Sequence, residues 1–155
     1  MNWLDDLKTL KLPPLAAGPH KTPDEGLCAM EMVAYTERLP HSDAPACTCP
    51  IITACVTELN DALPQEHRER LKLYLPRLVG TVSTTHKDVR NDLWIEAWSV
   101  EWGCKPAYEV AKSANGIDKL FELLDRMIEA GPSGGWTDYS TERARELESV
   151  GQGAE

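Results

Sequence analysis

Apolar side chains recur every three or four positions between residues 116 and 130, which is the period of an α-helix with one buried face. The recurring positions are Ile117, Leu120, Phe121, Leu124, Met127 and Ile128. Gly131-Pro132 follows directly, and a glycine and a proline after a periodic run indicate the end of a helix. The same period returns earlier in the chain, and no segment has the pattern of paired strands or of an internal repeat. The sequence therefore predicts an all-α fold.

Prolines and capping residues mark the first two core helices. Thr22-Pro23-Asp24-Glu25 combines an N-cap, a first-turn proline and a capping-box glutamate, and it predicts a helix to about Glu37. Pro50 is typical of the first turn of a second helix. Their predicted buried faces contain Leu27, Met30, Val33 and Ala34 in the first helix and Ile52, Cys55, Val56, Leu59 and Leu63 in the second.

Further helices are predicted after residue 63. Pro64 starts a third helix, which Pro76 should kink because its ring removes a backbone donor. Ser83-Thr84-Thr85 offers N-caps for the longest helix, over roughly residues 86–104. A shorter helical stretch follows Pro106, which brings the expected total to five or six helices. The inward face of the third helix is predicted to be Leu71, Tyr74, Leu75 and Leu78, and that of the longest Val89, Leu93 and Ala97.

The length of 155 residues and the mass of 17.2 kDa suit one compact domain. We divide the chain into an N-terminal arm over residues 1–21, a helical core domain over 22–131 and a polar, flexible C-terminal tail over 132–155. Within the arm, residues 3–11 have the spacing of one or two amphipathic turns.

The chain is acidic, with 16 Lys and Arg against 25 Asp and Glu, a net charge of −9. This balance argues against direct binding to nucleic acid or to an anionic membrane. No apolar run approaches the roughly 20 residues that cross a bilayer, and no apolar signal segment opens the chain. We therefore expect a cytoplasmic protein. The charge is uneven, with net −6 over residues 24–63 and net +3 over residues 66–90.

Soft metal ligands gather between residues 28 and 55. Cys47 and Cys49 precede the second helix, Cys28 lies on the first, and His41 lies in the loop that joins them. Zinc takes four tetrahedral nitrogen or sulfur ligands, but its usual signature is two spaced pairs. Here the chain offers only one pair, Cys47 and Cys49, separated by a single residue, and its other candidate ligands are isolated. Cys28 also fits the apolar face of a helix, where free cysteine packs as a small hydrophobic residue. Zinc is kept as an alternative, and no cofactor is expected.

The same region raises a catalytic alternative. Cys47 or Cys49 near a helix N-terminus, with His41 in the loop, satisfies the loosest requirement for an activated nucleophile. Glu31, His41 and Asp43 form a second candidate group, for acid–base chemistry or for ligand binding. A buried carboxylate bonded to loop amides is the simpler interpretation of Glu31, with Asp43 as a further loop anchor. No established catalytic motif is present, so no residue is assigned as catalytic.

Three tryptophans repeat every four residues on the longest predicted helix, at Trp94, Trp98 and Trp102. Core packing accounts for such a row. A small core does not readily accommodate all three rings, however, and exposed aromatic rings dominate the binding energy of protein interfaces. The neighbouring acids Asp92, Glu96 and Glu101 disfavour nucleic-acid stacking. The row is thus a candidate surface for a protein partner.

Five segments within residues 18–81 carry a resemblance to known proteins: residues 26–35, 41–52, 59–61, 63–64 and 75–81. In these segments the chain resembles a family of small proteins from actinobacteria and tailed bacteriophages. The family has no assigned activity, so the resemblance implies a bacterial or phage cytosolic setting and carries over no catalytic residue.

Three functions are compatible with these sequence features. We rank first a non-catalytic interaction or inhibitory protein that binds a protein partner, with a phage protein acting on a host protein as its specific form. Its acidic surface is compatible with mimicry of nucleic acid. A metal-stabilised module ranks second, and a small enzyme built on residues 28–50 ranks third. A homo-oligomer is left open.

Overall fold

The structure is a computed structural model that describes residues 12–133. The amphipathic turns predicted for residues 3–11 and the tail from residue 134 onward lie outside the described residues. Residues 12–133 contain no β-strand, and their single β-bridge joins Leu15 to Leu27. The all-α prediction is confirmed.

Six helical units follow one another along the described chain. They are α1 (Ala29–Thr36), α2 (Pro50–Ala62), α3 (Gln65–Glu69, continued by a 3-10 turn over Arg70–Tyr74 and by Leu75–Leu78), α4 (Lys87–Glu96, continued by a π-helix over Ala97–Glu101), α5 (Ala107–Lys112) and α6 (Gly116–Glu129). A short 3-10 turn, Pro23–Glu25, precedes α1.

The core forms where the predicted apolar faces meet. The inward residues predicted for α2 and α3 are buried, and so are Leu120, Phe121, Leu124, Met127 and Ile128 of α6. Helix α2 packs against α1, α4, α5 and α6, which makes it the central helix of the bundle. Burial of these apolar faces, at about 25 cal/mol for each Å² removed from water, is the main stabilising contribution to the fold.

The first core helix begins later than predicted. Pro23–Glu25 forms only a 3-10 turn, and the Thr22 side chain makes no capping hydrogen bond. Gly26 ends this turn at φ +129, a conformation that no helix continues. The capping box is instead made by Cys28 and Glu31, six residues after the predicted pair Thr22 and Glu25. The prediction of a helix that starts after Thr22 was therefore wrong: the helix starts at Ala29, after a separate turn that Gly26 ends.

Helix α3 differs from the prediction in how it accommodates Pro76. Its middle section, Arg70–Tyr74, tightens into 3-10 geometry, and Pro76 then lies in the first turn of the following α-helical section. A proline in a first turn needs no backbone partner for its missing N–H group. The change of helix type thus replaces the simple kink that was predicted.

Helix α4 corrects two predictions. Its N-cap is His86, whose side chain makes no capping hydrogen bond to the helix, rather than one of the residues Ser83-Thr84-Thr85. Val89, predicted to face the core, is half exposed, and Arg90 is fully buried in its place. The guanidinium of Arg90 donates to the carbonyl oxygens of Thr81 and of Met127 and Ile128 at the end of α6. Hydropathy alone would place an arginine on the surface. These hydrogen bonds satisfy its guanidinium in the core.

Candidate functional site

A groove of about 290 Å³ lies between α2 and α4. It is lined by Glu58 from α2 and by Asn91, Trp94, Ile95 and Trp98 from α4. Trp98 is 43% exposed and Ile95 is 54% exposed, whereas Trp94 is partly buried against the core. These α4 positions are three or four residues apart, so they share one side of the helix. The groove is therefore an apolar feature open to solvent.

The tryptophan row does not form one stripe. The backbone N–H of Trp102 donates to the carbonyl oxygen of Ala97, five residues earlier, which is the hydrogen bond of a π-helix. This widened turn rotates Trp102 away from the face of Trp98, and its ring is only 3% exposed. Among residues 12–133, its indole N–H has no hydrogen-bond partner. The row thus divides into the groove residues Trp94 and Trp98 and the core residue Trp102.

Carboxylates border the groove. Glu58 lines it directly, and its Oε1 accepts a hydrogen bond from the backbone N–H of Ala107 at 3.3 Å. Asp92 and Asp88 are exposed and precede Ile95 by three and seven residues, spacings that place them on the same side of α4. Lys87 adds one positive charge four residues before Asn91, which leaves this face with a net negative charge.

The second candidate group is centred on Glu31, which is 1% exposed. Its carboxylate accepts hydrogen bonds from the backbone N–H groups of His20 (2.7 Å) and Cys28 (2.8 Å) and from the His20 ring at Nδ1 (2.8 Å). The Nε2 atom of His41 lies 3.3 Å from the same carboxylate and donates to the carbonyl oxygen of His20 at 2.6 Å. The carboxylate therefore ties three chain segments together.

The hydrogen bonds to Glu31 set its protonation. Burial by itself would raise the pKa of this carboxyl group, because it disfavours the charged form. The donors from Cys28 and His20 outweigh burial and lower the pKa to about 2. Glu31 is thus a carboxylate at neutral pH whose acceptor sites are used by the protein itself, as expected of a structural anchor.

Asp43 does not join this group. Its side chain is exposed, so it does not satisfy the buried loop donors that it was predicted to satisfy. The loop is held by other groups: Ser42 Oγ accepts from the Ala44 N–H, and the Thr81 hydroxyl accepts from the Cys49 N–H at 2.9 Å. Of the predicted acid–base candidates, the structure brings together only Glu31 and His41.

The cysteines occupy separate roles. Cys28, Cys47, Cys49 and Cys55 are buried and reduced, and Cys104 is exposed. The Sγ atom of Cys28 accepts the N–H of Glu31 at 3.4 Å as a helix cap. Over residues 12–133, no three His, Cys, Asp or Glu side chains are grouped so that they could hold a metal ion. The structure thus brings no zinc ligand set together around Cys28, His41, Cys47 and Cys49.

Sequence reasoning did not identify His20, Ile95 or Glu58 as site residues. His20 lies in an aperiodic stretch, where no spacing links it to Glu31. Ile95 had a usable signal, since it is three residues before Trp98 and therefore on the same helix face. Glu58 comes to the groove through the packing of α2 against α4, which only the tertiary structure shows.

Comparison of the chain with protein-family models, with curated proteins and with solved structures found no match. Across the part of the chain that the structure describes, no helix is both long and apolar enough to span a membrane.

Proposed function

We propose that this protein is a non-catalytic interaction protein that binds a partner protein through the groove between α2 and α4. The observation that carries the proposal is the exposure of Trp98 beside a groove that can receive an apolar side chain. Large, rigid aromatic rings at the edge of a pocket are the groups that dominate binding energy at protein interfaces.

The groove has an exposed apolar edge. Ile95 and Trp98, three residues apart on one side of α4, are 54% and 43% exposed. Val100 is 75% exposed, but it lies two residues after Trp98 and does not line the groove. Exposed apolar residues that are adjacent, rather than scattered singly, are typical of interaction surfaces.

The charge around the groove indicates the chemistry of the partner. Glu58, Asp88 and Asp92 border an apolar centre, so a complementary surface has an apolar side chain flanked by Lys or Arg. The net charge of −9 adds long-range attraction to such a basic surface. The resemblance of residues 18–81 to actinobacterial and phage proteins implies a bacterial or phage cytosolic setting, and within it we propose, as a specific form, a phage protein that inhibits a host protein. A basic surface that normally binds nucleic acid fits that description.

Affinity capture from the native host cell tests this proposal. Trp98→Ala should weaken retention of the partner by about 2 kcal/mol, roughly 30-fold, because truncation removes a central aromatic contact. Tyr35→Ala is the matched control, since Tyr35 is an exposed aromatic residue (53%) on a different helix. Raised salt should slow association of the wild-type protein, because ions screen the attraction between exposed charges. Equal retention by the Trp98 and Tyr35 variants would contradict the proposal.

A further inference from the structure

Residues 12–18 run along α2 and α3 and are held chiefly through their main chain; we call this segment the strap. The Leu15 N–H donates to Glu69 Oε2 at 2.9 Å, and the Leu15 carbonyl oxygen accepts from Gln65 Nε2 at 2.8 Å. Both main-chain groups of one residue are thus bonded by side chains of a single helix, α3.

The rest of the strap is bonded in the same way. The carbonyl oxygen of Ala16 accepts from Asn60 Nδ2 at 3.0 Å, and the Ala16 N–H donates to the Leu27 carbonyl oxygen at 2.9 Å. The Gly18 N–H donates to Asp61 Oδ1 at 2.8 Å. Asn60 is itself buried, and its Oδ1 accepts the Ala29 N–H at 3.0 Å, so its side chain joins the strap to the start of α1.

Leu15 is the one fully buried side chain of the strap, at 2% exposed, and Leu12 is partly buried against the core. Pro13, Pro14 and Ala17 face solvent. Main-chain hydrogen bonds combined with one side-chain pocket are the features by which proteins recognise extended peptides. The surface formed by Leu27, Asn60, Asp61, Gln65 and Glu69, which we call the strap cleft, therefore has the properties of a peptide-binding site that the chain fills with its own strap.

The strap has a pivot at Gly18. Its φ of +79 turns the chain, and no atom lies within 4 Å of the position a Cβ would take. Two residues later, the backbone N–H and the ring of His20 are fixed to Glu31. A change of φ at Gly18 therefore redirects residues 12–17 while the chain from His20 onward stays in place.

We propose that the strap cleft also binds the strap of a second copy of this chain, so that two copies exchange residues 12–17 in a symmetric dimer, with Gly18 as the hinge. The exchanged residues make the Leu15 and Ala16 hydrogen bonds in trans, and six extended residues span up to about 20 Å. The strap of the same chain competes at an effective concentration in the millimolar range, so the closed monomer dominates in dilute solution. This interaction uses none of the groove residues and is independent of the proposed function.

The test is a substitution in the full-length chain that makes the positive φ at position 18 unfavourable. In Gly18→Ala, the closed strap holds an alanine at φ +79, whereas the exchanged strap is free to adopt an extended φ. The dimer dissociation constant, measured by analytical ultracentrifugation, should fall at least roughly tenfold below that of the wild type. Gly103→Ala is the matched control, because Gly103 also has a positive φ (+60) and open space at its Cβ but lies outside the strap.

A second measurement identifies the contact. Isotope-filtered NMR of mixed labelled and unlabelled Gly18→Ala protein should show nuclear Overhauser effects from the Leu15 methyl groups of one copy to the other copy. The proposal is overturned if Gly18→Ala is as monomeric as Gly103→Ala, or if those effects are only intramolecular.

Discussion

The Oε1 atom of Glu31 lies 2.8 Å from Nδ1 of His20, and this hydrogen bond joins α1 to the segment that precedes it. The same carboxylate accepts the backbone N–H of His20, so one acidic group fixes both the ring and the main chain of one residue. A buried carboxylate used in this way has a structural role that depends on its charge.

Glu31→Gln should therefore destabilise the protein in a pH-dependent manner. The carboxyl pKa of Glu31 is lowered from 4.5 to about 2 on folding, so its charge stabilises the native state above pH 4.5. That contribution, about 3 kcal/mol in the free energy of unfolding, is lost as pH falls through 2. Urea unfolding at several pH values should show a wild-type advantage at pH 7 that shrinks below pH 4.5.

Asp43→Asn is the control for this measurement. Asp43 is exposed in the loop after α1, so its replacement should change the free energy of unfolding by less than about 0.5 kcal/mol at any of these pH values. A pH-independent difference between wild type and Glu31→Gln would refute the charge-dependent role of Glu31.

Arg90→Met should strongly destabilise the fold. The guanidinium donates to four backbone carbonyl oxygens, those of Thr81, Met127, Ile128 and Pro132, and a thioether has no donor to replace it. We expect a loss of about 3 kcal/mol or more in urea unfolding, because buried acceptors are left without partners. Arg126→Met is the matched control: Arg126 makes an exposed ion pair with Glu101, which is worth less than about 1 kcal/mol. Similar losses in both variants would contradict this role of Arg90.

Trp98→Ala and Trp102→Ala should have opposite consequences. Trp102 is buried, so its truncation leaves a cavity and should lower the free energy of unfolding by about 3–5 kcal/mol. Trp98 lies at the groove edge, and its loss should change stability by less than about 1 kcal/mol while weakening partner binding. Thermal or urea unfolding of the two variants measures this contrast, and equal destabilisation would show that the π-helical turn does not separate the two rings.

Thiol reagents should modify one cysteine of the folded protein rapidly. Cys104 is exposed, whereas burial raises the pKa of Cys28 to about 12 and raises the pKa of Cys47 and Cys55 as well. Cys49 is buried too. Mass spectrometry after brief alkylation should find a single adduct at Cys104, with the other four appearing only in denaturant. Rapid modification of Cys47 would instead support the catalytic alternative.

The helix pattern could be predicted from the sequence because it depends on local periodicity and on prolines. The buried face of α2 is an example, since each of its predicted apolar residues is buried. The start of α1 could not be predicted, because Thr22 is a favoured N-cap by residue type and Cys28, which forms the cap, is not. The outcome depends on the backbone at Gly26, which ends the first turn.

Local periodicity also explains why only part of the candidate site could be predicted from the sequence. The four-residue spacing identified Trp94 and Trp98, which line the groove from the same side of α4. It failed for Trp102, because an α-helical repeat does not apply across a π-helical turn. Likewise, the buried position of Arg90 depends on the end of α6, which is distant in sequence and approaches α4 only in the folded chain.

Site-specific photo-cross-linking at position 98 tests the central claim most directly. A photoreactive phenylalanine analogue replaces Trp98 in the full-length protein, expressed in the native host cell, and a second protein carries it in place of Tyr35. We expect a discrete adduct to one protein with position 98, mapped to a basic segment that contains an apolar residue, and no adduct to that protein with position 35. The absence of any adduct at position 98, or the same adducts at both positions, would contradict docking through the groove between α2 and α4.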